Sequence, residues 1–323
     1  MRARRAVAGA GLLTLVATGC SDDVRRGDPE PRSSGSATSS PPTSGAAPSE
    51  PRGDVHGPLA AALAGRPTPP RSPRQVAAQL VAADRVIGDP ASPRALLAAA
   101  GHTQQLAYRE LADHPAWDDP VRGFLPRALR QDTAANVAAR RAFRSMHPTN
   151  PRDLADELPA WRIVRPRPAA ELRRYYRTAE RRYGVEWEYL AAIHLVETAF
   201  GRIDGTSVAG AQGPMQFIPT TWDIYGEGGD IEDPRDAILA AARLLNANGF
   251  ARDPAGALYR YNNSTAYVRG VSLYAEVMQR TPRAFLGYHQ WPVYYLTRRG
   301  AVWLPVGYAE REPVPVREWL ARH

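Results

Sequence analysis

Glu197 is the residue in this chain best placed to do chemistry, because its carboxylate sits in a stretch with almost no other polar side. From Trp187 the sequence runs Trp-Glu-Tyr-Leu-Ala-Ala-Ile-His-Leu-Val-Glu-Thr-Ala-Phe-Gly, and Leu190, Ile193, Glu197 and Phe200 recur at helical spacing on one face. The middle of the run, Leu190 to Val196, is apolar nearly all round, which predicts a helix buried in a larger core, and Gly201 is expected to end it. Glu197 then lies in the last turn, where the negative end of the helix dipole and burial both disfavour a charged carboxylate. Both effects raise its pKa, and a carboxyl that stays protonated near neutral pH is a general acid. A helix-end glutamate paired with an arginine such as Arg202 fits the same residues.

Two further clusters follow. Gly210-Ala-Gln-Gly-Pro-Met-Gln-Phe-Ile-Pro-Thr-Thr-Trp222 has glycines for close backbone approach, with Pro214 expected to start a helical turn that presents Gln216. An amide there can both donate to and accept from sugar hydroxyls or an acetamido group. Tyr261-Asn262-Asn263-Ser264 falls between one helical run ending near Tyr261 and another from about Ala266 to Gln279, on a connecting loop of the kind where sites are often built. Each cluster alone could be caps and turns.

In order and spacing, Glu197-Thr198-Ala199-Phe200-Gly201, Gly213-Pro214-Met215-Gln216-Phe217-Ile218-Pro219-Thr220-Thr221-Trp222 and Tyr261-Asn262 resemble the lytic murein transglycosylases of the soluble and B-type branches. The resemblance covers about Tyr183 to Met278 and implies a lysozyme-like helical domain. It makes Glu197 the single catalytic acid/base, Ser207 a hydroxyl near the reacting sugar, Gln216 a substrate-binding amide, and Tyr261 with Asn262 the groove wall. Pro214 stands where Ala or Leu is more usual and Thr198 where Ser is common. The implied reaction cleaves the β-1,4 bond between N-acetylmuramic acid and N-acetylglucosamine in peptidoglycan and leaves a 1,6-anhydro end, with no metal and no cofactor. A goose-type lysozyme-like hydrolase recruiting Asp204 and a non-catalytic wall-binding lipoprotein are the rival readings.

The elements that must position these residues are helical. Val76, Leu80, Ala83 and Ile87 keep a helix period, Ser92-Pro93 suits the start of a helix over Arg94 to Ala100, and further helices are expected over Thr103 to Asp113 and about Val121 to Arg144 with a break at Pro126. Pro148 to Pro168 reads as an irregular connection. Asp233-Pro234-Arg235-Asp236 signals another helix start, and capping explains the acids around it better than calcium does, because the alternating ligand pattern and closing Glu are missing. Val293 to Thr297 and Ala301 to Val306, separated by Arg298-Arg299-Gly300, read as a hairpin whose aromatics are expected to pack as core. The fold class expected is mainly α, with a helical module and connection over 71–168, a lysozyme-like domain over 169–284 and a hairpin segment over 285–323.

The N-terminus reads as a targeting device. Arg2, Arg4 and Arg5 precede an apolar run from Ala6 to Val16, too short to span a bilayer, and a small-residue cleavage site. Leu15-Val16-Ala17-Thr18-Gly19-Cys20 resembles a bacterial lipobox, which makes 1–19 a lipoprotein signal peptide and Cys20 the lipidated new N-terminus; a secretory leader with a stray cysteine is the alternative. Cys20 is the only cysteine, so the chain has no intramolecular disulfide. Residues 20–70, rich in Ser, Pro and Gly, read as a tether from the outer face of the cytoplasmic membrane toward the wall. All 41 basic side chains counted as Lys plus Arg are Arg, and the formal charge is +8. That charge is scattered without an aromatic-laced basic stripe, which argues against nucleic acid and suits an anionic envelope polymer, peptidoglycan glycan strands being the expected partner. None of the seven His residues is paired at zinc-ligand spacing, and His194 reads as a packed side chain.

Overall fold

The computed structural model describes residue 63 and residues 65–147 and 150–323; the leader, Cys20 and most of the tether lie outside them. Helix α1 (Pro73–Gly88) starts where Ser72 Oγ accepts a hydrogen bond from the Gln75 amide, and it buries Val76, Leu80, Ala83 and Ile87. Helix α2 (Arg94–Asp113) is one element where the sequence suggests two. Gly101 does not break it. A Cβ there would lie 2.5 Å from Gln290 Cβ and 2.8 Å from the Gly287 carbonyl oxygen, so the glycine serves a close approach between segments. Ser92 does not cap this helix either: its hydroxyl donates to the Val86 carbonyl and Pro93 takes the cap position. Helices α3 (Asp118–Phe124) and α4 (Arg127–Arg144) part at Leu125-Pro126, as the proline requires.

The connection that follows is tied into the molecule by strands β1 (Glu157–Leu158) and β2 (Arg162–Ile163). Next come α5 (Ala169–Tyr183), α6 (Trp187–Thr198), β3 (Ile203–Asp204), α7 (Pro219–Tyr225), α8 (Pro234–Ala247), α9 (Pro254–Tyr261), α10 (Thr265–Arg280) and α11 (Ala284–His289). Asp233 caps α8 by accepting from the Arg235 and Asp236 amides, and Asp236 accepts from Asp230, so these acids serve the backbone. Strands β4 (Val293–Thr297) and β5 (Gly300–Leu304) form the expected hairpin, in register from Val293 opposite Leu304 to Thr297 opposite Gly300. The chain closes with β6 (Val314–Pro315) and α12 (Val316–Arg322), neither legible in the sequence pattern. β1 pairs with β6 and β2 with β3, both antiparallel.

One apolar core runs from Val76 to Trp291 and takes in the early helices and α5 to α11 together. Helix α4 packs so closely on α10 that a Cβ at Gly270 would meet the Phe143 ring at 2.3 Å, while Arg280 pairs with Asp132 and the Tyr288 hydroxyl donates to Asn136. A second, smaller core of Leu158, Ile163, Ile203, Tyr295, Leu304 and Trp319 joins the connection to the C-terminal ribbon. Of the hairpin aromatics, Tyr295 packs in that core, whereas Tyr294 and Trp303 are half-buried against His102. Helix α6 runs through the main core, with Trp187, Leu190, Ala191, Ala192 and Ile193 wholly buried. Burying each large aliphatic side chain contributes about 1.5–3 kcal/mol, which fixes the axis on which Glu197 is carried.

Candidate active site

Helix α6 stops at Thr198, three residues before Gly201. Ala199, Phe200 and Gly201 are successively left-handed, with φ of 52°, 65° and 75°. The first two are not glycines, and each such residue costs about 1–2 kcal/mol of backbone strain. Packing holds them: Phe200 is buried with its ring edge-on to Phe285 at 5.4 Å and to His194 at 5.7 Å, while its amide donates to the His194 carbonyl. His194 is wholly buried, its Nδ1 2.7 Å from the Tyr176 hydroxyl, and burial holds its pKa down to about 3; it is a packed, neutral histidine.

This abrupt stop leaves Glu197 with only 1% of its surface exposed. The Tyr267 hydroxyl donates to Oε1 at 2.7 Å, and Oε2 is buried without a hydrogen-bond partner. Burial pushes the carboxyl pKa up to about 8, against the lowering effect of the Tyr267 hydrogen bond. Arg202 does not pair with it; that guanidinium donates to the His289 carbonyl at 2.6 Å. Glu197 is therefore a buried carboxylic acid, protonated at neutral pH, with no cation paired to it among the described residues.

The helix end is tied to the glycine-rich loop by Thr198, whose hydroxyl donates to the Pro214 carbonyl at 2.6 Å and accepts from the Gly201 amide. The loop is not the helical turn expected from Pro214. Gln212 and Phe217 exchange backbone hydrogen bonds across a tight reversal, with Gly213 at φ 70° and Gln216 at φ 50°. The Gln216 amide nitrogen turns inward, to the Gly213 carbonyl at 3.0 Å and the Gly205 carbonyl at 3.4 Å, which leaves its oxygen to meet a substrate donor. Tyr261 ends α9, donates to the Met215 carbonyl at 2.6 Å and stacks its ring parallel to Tyr267. Burial, and next the nearby Glu197, hold both phenols well above their usual pKa. Asn262 is 4% exposed and its Nδ2, like Glu197 Oε2 and His194 Nε2, is buried without a hydrogen-bond partner among the described residues. Buried orphans of this kind are rare and mark strain or a ligand position.

Glu197, Gln216 and Tyr261 are thus joined through their neighbours: Tyr267, which donates to Glu197, stacks on Tyr261, whose hydroxyl bonds to Met215 beside Gln216, with Asn262 next in the chain. Ser207 is held apart from it: its Oγ accepts from the Ala211 amide, and it lines a surface cleft of about 760 Å³ with Trp161 and Arg298. Asp204 lies in β3, where Arg162 of β2 pairs with it through Nε at 2.9 Å and through a second guanidinium nitrogen. Near it Glu232 accepts from the Gly213 backbone, and burial, Asp204 and Asp230 raise its carboxyl. Tyr267 is not singled out by the sequence motifs. The available signal is Ser264-x-x-Tyr267: Ser264 caps α10 by accepting from the Tyr267 amide, which sets the ring one turn beyond the Tyr261-Asn262 loop.

Residues 174–276 match the Transglycosylase SLT domain. The matched segment carries Glu197, the 213–217 loop, Tyr261, Asn262 and Tyr267, and begins nine residues before the stretch that the sequence motifs delimit. It is about a third of the 323-residue chain; α1 to α4 and the C-terminal ribbon fall outside. The SLT domain family consists of lytic transglycosylases, so the match supports an enzyme acting on peptidoglycan, and the mainly helical architecture agrees with a lysozyme-like SLT domain. No curated protein and no solved structure matches the chain.

The buried Glu197 carboxyl makes a pH prediction. Tyr267→Phe removes the donor that favours the ionised form of Glu197, so the carboxyl pKa should rise above about 8. The basic limb of kcat/KM against pH should move to higher pH, since the acid then keeps its proton longer. A limb that moves down, or stays, would show that Tyr267 does not act on Glu197.

Proposed function

We propose that the protein is a lytic transglycosylase that cleaves the MurNAc-GlcNAc β-1,4 bond with Glu197 as its single acid/base. What carries this reading is a carboxyl kept protonated by burial, without a cationic partner among the described residues, inside the SLT segment. Glu197 gives its proton to the glycosidic oxygen as the C1–O4 bond breaks. The resulting carboxylate then takes the proton of the C6 hydroxyl of the same muramoyl residue, and O6 bonds to C1. The acid is regenerated and no water is consumed. Gln216, Tyr261 and Asn262 are assigned to the sugar-binding wall and Ser207, from its surface cleft, to a hydroxyl near the reacting sugar. A hydrolase would need a second carboxylate to direct water. Asp204, the nearest acid in sequence after Glu197, is engaged by Arg162, which favours the intramolecular route.

Mass spectrometry of digested peptidoglycan tests this. Products ending in 1,6-anhydromuramoyl units, lighter by one water than hydrolysis products and resistant to borohydride, are expected, with Asp204→Asn still active. Reducible ends together with a dead Asp204→Asn enzyme would establish hydrolysis instead.

We further propose that the mature protein is held at the outer face of the cytoplasmic membrane by lipid on Cys20. Acyl chains contribute about 0.8 kcal/mol per buried CH₂, so two or more anchor firmly. Among the described residues no helix is long and apolar enough to cross a membrane, so Cys20→Ala should move the protein into the soluble fraction. Normal processing and membrane retention of that variant would rule the anchor out.

A further inference from the structure

Beside the C-terminal end of α6 lies a cavity of about 580 Å³, a volume typical of small-ligand sites, walled by α2, α4, α10, the α11 to β5 segment and α6 itself. Two arginines line it without a side-chain hydrogen bond to protein among the described residues. Arg109, 8% exposed, lies over the Tyr294 ring at 4.4 Å and forms no hydrogen bond among the described residues. Arg140 has its Nε buried without a partner. The contrast is the next residue, Arg141, which is bidentate to Asp118 and also donates to the Leu111 and Ala112 carbonyls. Asp113 and Glu110 are the acids close enough to act on Arg109 and Arg140, yet neither forms an ion pair with them. Burial, followed by repulsion from Arg140, lowers Arg109 to about 9, so this cation remains charged at neutral pH, and burial lowers Arg140 as well. Desolvated guanidiniums that lack partners are costly to a fold, and a bound anion offsets that cost.

Arg141 and Arg144 also line the cavity, against the single acid Asp113, and the rest of the wall is largely apolar and aromatic, with Tyr274 and Trp291 prominent, so the occupant carries an acid group on an apolar or aliphatic body. Its position identifies the source. Leu195 and Val196, which immediately precede Glu197, line the cavity, and the Phe143 ring in its wall packs edge-on at 6.4 Å against Tyr267, the residue that donates to Glu197. We propose that this cavity binds the acidic peptide stem borne by the peptidoglycan strand, with Arg109 and Arg140 holding a stem carboxylate. The assignment of the stem as ligand rests on the transglycosylase reading; the carboxylate chemistry of the cavity does not.

The test is calorimetric titration of the full chain with a synthetic wall tetrapeptide bearing free carboxylates, with the same peptide amidated, and with acetate. The free acid should bind, whereas amidation, Arg109→Met or Arg140→Met should each weaken binding by about tenfold or more, the loss of one charge-assisted hydrogen bond. Thermal melts should show both Met variants at least as stable as the parent, because an unpaired buried cation has been removed. Equal affinity for the amidated peptide, unchanged affinity in both variants, or acetate binding as tightly as the tetrapeptide would overturn the proposal; the amidated peptide decides the matter even where a variant fails to fold. Cleavage of glycan strands stripped of peptide, measured on the parent enzyme, separates the two readings. Strands cut without tetrapeptide binding sink the cavity proposal alone, and binding without cutting sinks the transglycosylase reading alone.

Discussion

Glu197→Gln should abolish cleavage and yet make the folded protein more resistant to alkali. The amide keeps the shape of the acid and can still accept from Tyr267, but it has no proton for the leaving oxygen, so a loss of about 10²- to 10⁴-fold is expected, the usual contribution of general acid catalysis. The stability effect follows from the same burial. In the fold this carboxyl titrates at about 8 against an ordinary 4.5, so across that window the unfolded chain gives up a proton that the folded chain keeps. Stability therefore falls as pH rises from the unfolded to the folded pKa and is level above it. At 1.36 kcal/mol per unit the ceiling is roughly 5 kcal/mol, and relaxation of the buried site reduces it to a few. The amide that replaces the acid does not titrate. Denaturant melts should show the difference between variant and parent widening in the variant's favour from pH 5 to pH 9. Near-normal turnover by the folded variant would remove Glu197 from the mechanism, and a difference independent of pH would mean that its carboxyl is not perturbed.

A methyl group at Gly213 should do comparable damage from outside the chemistry. Gly213 has φ 70°, and a Cβ there would stand 2.0 Å from the Ile231 carbonyl oxygen and 2.9 Å from its carbon. The obstacle is backbone, so the loop must move. Its carbonyl receives the Gln216 amide, and the following residue's carbonyl receives the Thr198 hydroxyl from the end of α6, so a displaced loop loosens the Gln216 side chain and the helix end together. Gly213→Ala should cost more than about 3 kcal/mol, adding steric displacement to left-handed strain, and lower turnover at least tenfold in whatever protein folds. Gly210→Ala is the matched control: φ is 83° but nothing lies within 4 Å, so only the strain of about 1–2 kcal/mol applies. If melting temperatures and rates of the two variants coincide, the loop is not fixed by the Ile231 contact.

Much of this site is legible in sequence because it is encoded locally. The apolar run around Glu197, the Asp233 cap and the Arg298-Arg299 turn each follow from neighbours a few residues away, and each takes the form expected. Misreadings occur where distant residues decide. Gly201 carries the expected stop signal for α6, but the helix ends three residues earlier because Phe285 and His194 draw the Phe200 ring into the core. Gly101 has the look of a boundary, whereas it admits Gln290 and leaves α2 unbroken. Gln216 is expected on a helical turn, but the Gln212 to Phe217 bridge folds it back on Gly205 and Gly213. Two-residue strands such as β1 have no period to detect, and their partners are supplied by β6 at the other end of the chain. Tyr267 escapes notice because an aromatic in the first turn of a helix has no chemistry until Glu197 is opposite it.

The single core from Val76 to Trp291 means that the segment resembling other enzymes and the segment that folds are not the same length. Cut at 174 and 276, the chain would keep its acid and lose Phe143 from beside Gly270, Tyr288 and Trp291 from Tyr274 and the last turn of α10, turning one flank of that helix into bare apolar surface. Substitutions in α2 or α4, far outside the part of the chain that defines the chemistry, can therefore reach Glu197 through one cooperative unit. In this protein the ancestry of the reaction is written in a third of the sequence, while inheritance of a working enzyme requires nearly all of what is folded.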